Sequence, residues 1–512
     1  MFELPIKPGV HAFDHFCAHL DRMLEANTSK EFAELANGAV SYETLTRDMR
    51  RLGAAFAEVG LGTGDRVLVA SKDEGATVKL FLALLRAGMT PVIGDAEITG
   101  PELGELIDVC DPAALYADEA MLATASLGSK LPQSRIIPIS DIHDVLSNGR
   151  DPGGWPAIEA RPDVALLVLT SGTTSTPKAV ELTHENLIAQ LAIFEDIYGF
   201  DSATRLLNLL PLHHVDGLIR GPLVALWFGG HLYRQTPFSV QNVPAILKEF
   251  GEKNITHFIT VPAMLRIVAR IGSDDREAFS GPDFRFILCS ADLLDAALWS
   301  HVEETFNVPV VNAYGLSEVV CDALFAGPDN ASRRIGSLGR PHGCTAAILD
   351  DDFRPVPEGE AGELVLSGPT VMRGYFNAPE LTATVIRNDY ARVGPDGLYD
   401  FVGRKKTAIV SAGATIHPES VTIVLTTMPG VAEAVAFGVP DAARGEKLVA
   451  AIAPQPGHEI TAADAFAFCR KHLSAERTPA EFRIMASLPR GASGKVLMAE
   501  LTAGTAAAPA GL

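Results

Sequence analysis

Residues 170–178 read Thr-Ser-Gly-Thr-Thr-Ser-Thr-Pro-Lys, directly after the apolar run Val164–Leu169. Hydroxyls and backbone N–H groups on such a loop can wrap a polyanion, and Lys178 adds a mobile positive charge. No glycine precedes that lysine and no Ser or Thr follows it, so the segment is not a Walker loop. A second cluster, Asn312-Ala313-Tyr314-Gly315-Leu316-Ser317-Glu318, offers a ring able to stack on a base, a glycine for close backbone approach, a hydroxyl and a carboxylate. Near the C-terminus, Leu488–Lys495 ends in Gly-Ala-Ser-Gly-Lys. Small residues place no bulk around Lys495, so it can swing into a site as a unit. Each segment alone reads as an ordinary loop or a solvated charge. Together they point to a nucleotide.

The elements that must position these residues alternate. Arg66–Ala70 reads as a strand, Thr77–Ala87 as an apolar helix closed by Gly88, and Met89–Ile93 as the next strand. Thr183 can cap a helix through Ile197, with Glu185 in its first turn and Leu187, Leu191 and Phe194 on one face. Phe284–Leu288 and Pro309–Val311 read as buried strands running into small polar loops. Such alternation predicts largely parallel sheets covered by helices, with ligands at the C-terminal ends of the strands. Past residue 400 the character changes. Pro418–Met428 and Ala462–Leu473 read as helices, and Val431–Val439 and Leu448–Ala453 as strands, a small α+β unit over about 405–500.

The motifs and their order resemble the adenylate-forming superfamily, most of all its AMP-forming acyl-CoA synthetases, over residues from about 40 to 500. That resemblance implies an α/β fold. A large N-terminal domain of parallel-rich sheets sandwiched by helices spans 1–402, a hinge 403–407, and a small mobile α+β domain 408–501, before a disordered tail at 502–512. It implies that Thr170, Ser171, Gly172, Thr173, Thr174 and Lys178 hold the phosphates of ATP, and that Asn312, Ala313, Tyr314, Gly315 and Leu316 lie against the nucleotide. Tyr314 should stack near adenine, Ser317 should bond the α-phosphate, and Glu318 should hold Mg²⁺. Asp389 and Arg404 match a ribose-binding pair, although Asn388 and Arg387 replace the usual glycine and threonine before the aspartate. Cys289-Ser-Ala-Asp-Leu293 stands where an adenine wall is usual, which makes Ala291 and Asp292 adenine-side residues. Lys495 should bridge the α-phosphate and the attacking carboxylate, with Lys406 as the hinge and Met498 replacing a usual basic residue. Pro211-Leu-His-His-Val-Asp-Gly217 places His214 at the acyl pocket and thiol tunnel with Asp216 beside it, and Gly413 falls beside the pantetheine path.

The implied activity is ATP-dependent conversion of a carboxylic acid to an acyl-adenylate with release of pyrophosphate, then thioester formation with coenzyme A. Two readings compete with it. One is a stand-alone adenylation enzyme loading an amino or other acid onto a carrier-protein phosphopantetheine, for which an acidic Asp216 could pair with a substrate ammonium. The other is a non-catalytic nucleotide-binding homologue, against which Lys178, Glu318, Arg404 and Lys495 speak together. The Ser in the phosphate loop and the Cys-Ser-Ala wall also resemble oxalate-type ligases, which keeps small polar acids open. A net charge of −21 over 512 residues argues against nucleic acid or an anionic membrane surface as partner. Six scattered cysteines without CxxC spacing fit a reducing compartment and no zinc site. The first residues lack the layout of a signal peptide, and apolar stretches such as Val78–Leu85 are too short to span a bilayer, so a cytoplasmic location is expected.

Overall fold

The computed structural model describes residues 4–125, 127, 131–170, 177–384, 389–404, 407, 409–411, 414–441, 445–474, 477–490 and 496–503. Two large sheets carry the N-terminal part. In the first, Arg66–Ala70 pairs in parallel with Thr90–Ile93 on one side and Ala114–Ala117 on the other, the expected strand-helix-strand unit around the helix Glu74–Arg86. That helix begins three residues before the expected Thr77, because the Asp73 side chain accepts the Ala76 N–H and caps it.

In the second sheet, the parallel strands Arg205–Asn208, His257–Thr260, Phe286–Cys289 and Val310–Tyr314 lie side by side in that order. Each is four or five residues long, buried throughout or nearly so, and rich in Leu, Ile, Phe and Val, as central strands covered on both faces must be. One apolar cluster joins both sheets, with Val67 and Leu166 from the first, Leu206, Leu288 and Val311 from the second, and Leu80, Phe81, Leu187 and Leu191 from helices Glu74–Arg86 and His184–Tyr198. Those two helices fill the space between the sheets. The second is opened by a reciprocal cap between Thr183 and Asn186 and closed by Gly199.

One element departs from the sequence reading. The chain does not pass from the phosphate loop directly into the helix but first forms the strand Lys178–Thr183, antiparallel to Val164–Thr170 with Thr170 opposite Lys178. Ala179, Val180 and Leu182 are buried while Glu181 is only half-buried, so a partly alternating pattern marked this strand. An antiparallel meander follows, in which Asp389–Val393 pairs with Tyr399–Arg404 and sets Asp389 opposite Arg404.

The last sheet draws on residues from Ile409 onward and contains Val431–Asp441, Gly445–Pro454 and Glu481–Ile484. The helices Pro418–Thr426 and Ala462–His472 pack with it around Val421, Leu425, Ala450 and Ile452. The unit touches the larger part where the Arg266 guanidinium donates to the Ala432 carbonyl at 3.2 Å. Thr502 and Ala503, expected in the tail, close the helix Met498–Ala503, and the rest of the expected tail lies outside the described residues. Among the described residues no helix is long and apolar enough to cross a membrane.

Candidate active site

A cavity of about 530 Å³ lies at the C-terminal ends of the four parallel strands. Its wall takes the residues that follow each strand: Leu209 and Leu210, Val261 and Pro262, Ser290 and Ala291, Gly315 and Leu316. Thr170, at the end of Val164–Thr170, closes it from the first sheet. The ends of parallel strands collect ligands because the chain leaves the sheet there in loops free to carry function. Thr170, His214, Asp216, Ala291, Asp292, Gly315, Leu316 and Ser317, named from separate motifs, therefore share one cavity. Asn312 and Ala313 do not line it. Both are buried, and the Asn312 amide donates to the Ser337 carbonyl at 3.0 Å.

Two glycines allow the loops to close. A Cβ on Gly315 would sit 1.5 Å from the Cys321 carbonyl oxygen, and one on Gly217 would sit 2.1 Å from that of Pro211. No side chain fits at either position. Ala291 and Val320 are held at φ near +70°, a conformation costly for a residue with a Cβ and often found where a site is held under strain.

The loop carrying His214 and Asp216 is pinned from below. The Asn208 amide donates to the Asp216 carbonyl, and the buried Arg234 guanidinium donates to the carbonyls of Asn208 and Leu210 while pairing with Glu74. His213 turns away toward Asp95, and burial lowers its basicity. The loop after Glu318 hangs from the helix above it, where the Gln190 side-chain oxygen accepts the N–H groups of Cys321 and Asp322.

Around Lys178, the Tyr375 hydroxyl donates to the Glu318 carboxylate at 2.5 Å, and the Lys178 ammonium lies 5.3 Å from the centre of the Tyr375 ring. Burial, and then the neighbouring Glu318 charge, raise the Tyr375 hydroxyl well above its ordinary range, so it remains a donor. A carboxylate and a lysine that are 140 residues apart in sequence thus share one aromatic ring. The Tyr314 hydroxyl donates to the Asp389 carboxylate at 2.5 Å, bringing together two residues read from separate motifs.

Opposite lies a cluster the sequence reading missed. Arg220, fully buried, meets the Asp216 carboxylate at 2.5 Å, donates to Ser290 Oγ at 2.5 Å, and pairs with the buried Asp322. The Tyr198 hydroxyl donates to the other oxygen of Asp322 at 2.9 Å. Asp216 is therefore a cavity residue whose carboxylate is held by Arg220 while still facing the cavity. The short helix Val215–Leu218 starts after His214, with Asp216 in its first turn.

Ser171, Gly172, Thr173, Thr174, Lys406, Gly413 and Lys495, and the side chain of Arg404, lie outside the described residues. Residues 22–376 match the family described as AMP-binding enzyme, and residues 422–495 match the AMP-binding enzyme C-terminal domain. The chain belongs to the AMP-binding enzyme family. The sulfoacetate–CoA ligase of Cupriavidus necator is 31% identical over 482 residues, covering 90% of this chain and 91% of that protein. The oxalate–CoA ligase of Arabidopsis thaliana is 31% identical over 472 residues, covering 87% and 90%. Among solved structures, ATP-bound MatB from Rhodopseudomonas palustris superposes with a TM-score of 0.85 at 23% identity, covering 97% of this chain and 99% of that one. That superposition establishes the fold of this AMP-binding enzyme, with its large N-terminal and small C-terminal parts.

Of the residues the sequence reading did not name, Tyr375 had the clearest signal. Gly374-Tyr-Phe-Asn377 places an aromatic pair between a glycine and an asparagine at positive φ. Arg220 and Arg234 had none beyond their sitting in apolar surroundings, where an arginine must find partners.

Proposed function

We propose that this enzyme activates a carboxylic acid with ATP, releasing pyrophosphate, and transfers the acyl group from AMP to the thiol of coenzyme A. The observation that carries the reading is the convergence of Thr170, His214, Ala291, Gly315 and Ser317 on one cavity, with Lys178 and Glu318 joined by Tyr375 beside it. Relatives named as CoA ligases support coenzyme A as the thiol acceptor over a carrier protein.

The proposed roles combine the placement of the described residues with the family resemblance of the motifs. Thr170, Lys178 and the 171–174 loop bind and orient the triphosphate, and Ser317 donates to the α-phosphate. Tyr314 and the Ala291–Asp292 wall receive adenine, and Asp389 with Arg404 receives the ribose hydroxyls. Among the described residues Glu318 is bonded by Tyr375 at one oxygen, which leaves the other for a cation. One carboxylate together with phosphate oxygens is a donor set that suits Mg²⁺, which would supply charge neutralisation on the phosphates. Lys495 offsets the repulsion between the incoming carboxylate and the α-phosphate. No protein nucleophile is required, so the chain contributes positioning and electrostatics. The small C-terminal unit, joined at a hinge over 403–407 with Lys406 as the hinge residue, withdraws Lys495 so that a thiol can reach the carbonyl past His214 and Gly413.

Purified protein incubated with MgATP, coenzyme A and a panel of carboxylic acids should form AMP, pyrophosphate and an acyl-CoA. Chromatographic detection of ADP with an activating acid would overturn the assignment. An adenylate that forms but is never discharged by coenzyme A would overturn the choice of thiol.

A further inference from the structure

The cavity has a mouth and a floor, and they differ in chemistry. Ala291, Asp292, Leu316 and His214 are exposed, and Ser317 is half-buried beside them. Ser290, Cys321 and Asp322 are buried and Asp216 is nearly so. On the reading above Ser317, half-buried among these exposed residues, receives the α-phosphate, which puts the reacting carboxylate near the mouth and the far end of an acid toward the floor. Between them the wall is apolar, with Phe238, Met264 and Ile267.

Among the described residues three aspartates line this cavity, and neither Lys nor Arg does. The Arg220 guanidinium sits behind the floor with no exposed surface. One of its terminal nitrogens is taken by Asp216 and Ser290, the other by Asp322. An arriving group therefore meets the Asp216 carboxylate and the Ser290 hydroxyl before any guanidinium.

Resting on the acid-activating reading above, we infer that the Asp216–Arg220–Asp322 floor selects carboxylic acids whose far end donates a hydrogen bond, a hydroxyl or an amine, and rejects acids that end in a second anion. Asp216 is the residue that touches the substrate. Arg220 is a positioning residue that holds Asp216 and Ser290 in place while spending its charge on two carboxylates. Burial also raises Asp322 above the usual carboxylate range despite the pull of Arg220 in the other direction. With Asp322 protonated the three groups sum to zero, and with it ionised they sum to a single negative charge. In neither state does the floor present a net positive charge, and a buried anion brought against it would lack a partner. A donor gains a charge-assisted bond there. Acids with two acidic groups, such as those in the names of the sulfoacetate and oxalate ligases, fall among those it should reject.

The test uses acids of one length, on an aromatic and on an aliphatic frame, ending in a hydroxyl, an amine, a methyl or a carboxylate group. Pyrophosphate release is followed with unmodified protein and with Asp216→Asn. We expect kcat/KM for the hydroxyl- or amine-ended acids to exceed that for the carboxylate-ended ones by at least about tenfold. Asp216→Asn removes the charge at nearly constant volume, and it should narrow that ratio about tenfold, mostly through KM. A carboxylate- or methyl-ended acid used as well as the donor-ended ones, or a ratio unmoved by Asp216→Asn in folded protein, would overturn the inference and leave acid activation intact. Should the variant not fold, the acid series with unmodified protein decides alone. Pyrophosphate release with no acid at all would overturn the parent reading, and the inference with it.

Discussion

Glu318 does its work beside a tyrosine that no sequence motif had singled out. The Tyr375 hydroxyl fixes one oxygen of the carboxylate at 2.5 Å and its ring lies beside the Lys178 ammonium, so the acid, the ring and the base form a unit where the proposed reading puts the phosphates. Glu318→Gln keeps the shape and removes the charge. It should lower adenylate formation and raise the Mg²⁺ concentration needed for half-maximal rate, and coincident Mg²⁺ titrations of wild type and variant would show that the carboxylate has no metal role. Tyr375→Phe should be milder. It removes a hydrogen bond to a charged group, about 1.5–3 kcal/mol, without removing the charge itself. The rate should therefore fall by about one to two orders of magnitude, with adenylation, read as pyrophosphate release, more affected than thioester formation from supplied adenylate.

At the scale of elements, the parallel strands and their helices were legible because their signals are local: apolar runs of strand length, a Thr cap, a closing glycine. The placement of the motif loops beyond those strands was legible for the same reason, since ligands gather where parallel strands end. The strand Lys178–Thr183 escaped because its alternation is weak and its partner lies across a loop that itself reads as phosphate-binding. Arg234, Gln190 and Arg220 escaped for a different reason. Their significance is three-dimensional, set by which carbonyls and carboxylates the fold brings to them, and periodicity carries no such information. Gly315 shows how the two kinds of signal meet. Its motif position was visible, but only the structure places the Cys321 carbonyl 1.5 Å from where a Cβ would stand. Because the obstacle is backbone, Gly315→Ala must displace the loop that carries Ser317 and Glu318. We predict a loss of more than about tenfold in kcat/KM with a destabilisation of about 1–3 kcal/mol, and a variant with wild-type kinetics would mean that the loop shifts without consequence.

Burial in the folded molecule keeps several histidines neutral, and the proposed mechanism also requires the small C-terminal unit to move relative to the rest. Burial depresses His184 and His19 to about 4 and His257 to about 3, from an ordinary value of 6.5. Below pH 6.5 the unfolded chain binds these protons and the folded chain does not, so stability falls as pH drops toward 4, by about 1.4 kcal/mol per pH unit for each histidine. Denaturant midpoints at pH 7 and pH 5 should differ in that direction, and His257→Gln should reduce the difference. Catalysis makes the stronger demand on the molecule as a whole. On the proposed mechanism Lys495 is needed only while a carboxylate attacks ATP, when two anions must meet, and in that position it would obstruct a thiol. Lys495→Ala should therefore slow adenylate formation by orders of magnitude, in line with a loss of about 2.7–4 kcal/mol of transition-state stabilisation. The same variant, given chemically prepared acyl-adenylate, should still form the thioester at close to the normal rate. Lys406→Pro should do the reverse, because a fixed φ at the hinge blocks rotation while permitting the first conformation. The two variants should complement each other in the two half-reactions, and equal depression of both steps by Lys495→Ala would reduce the lysine to a structural role and remove the need for a moving C-terminal unit.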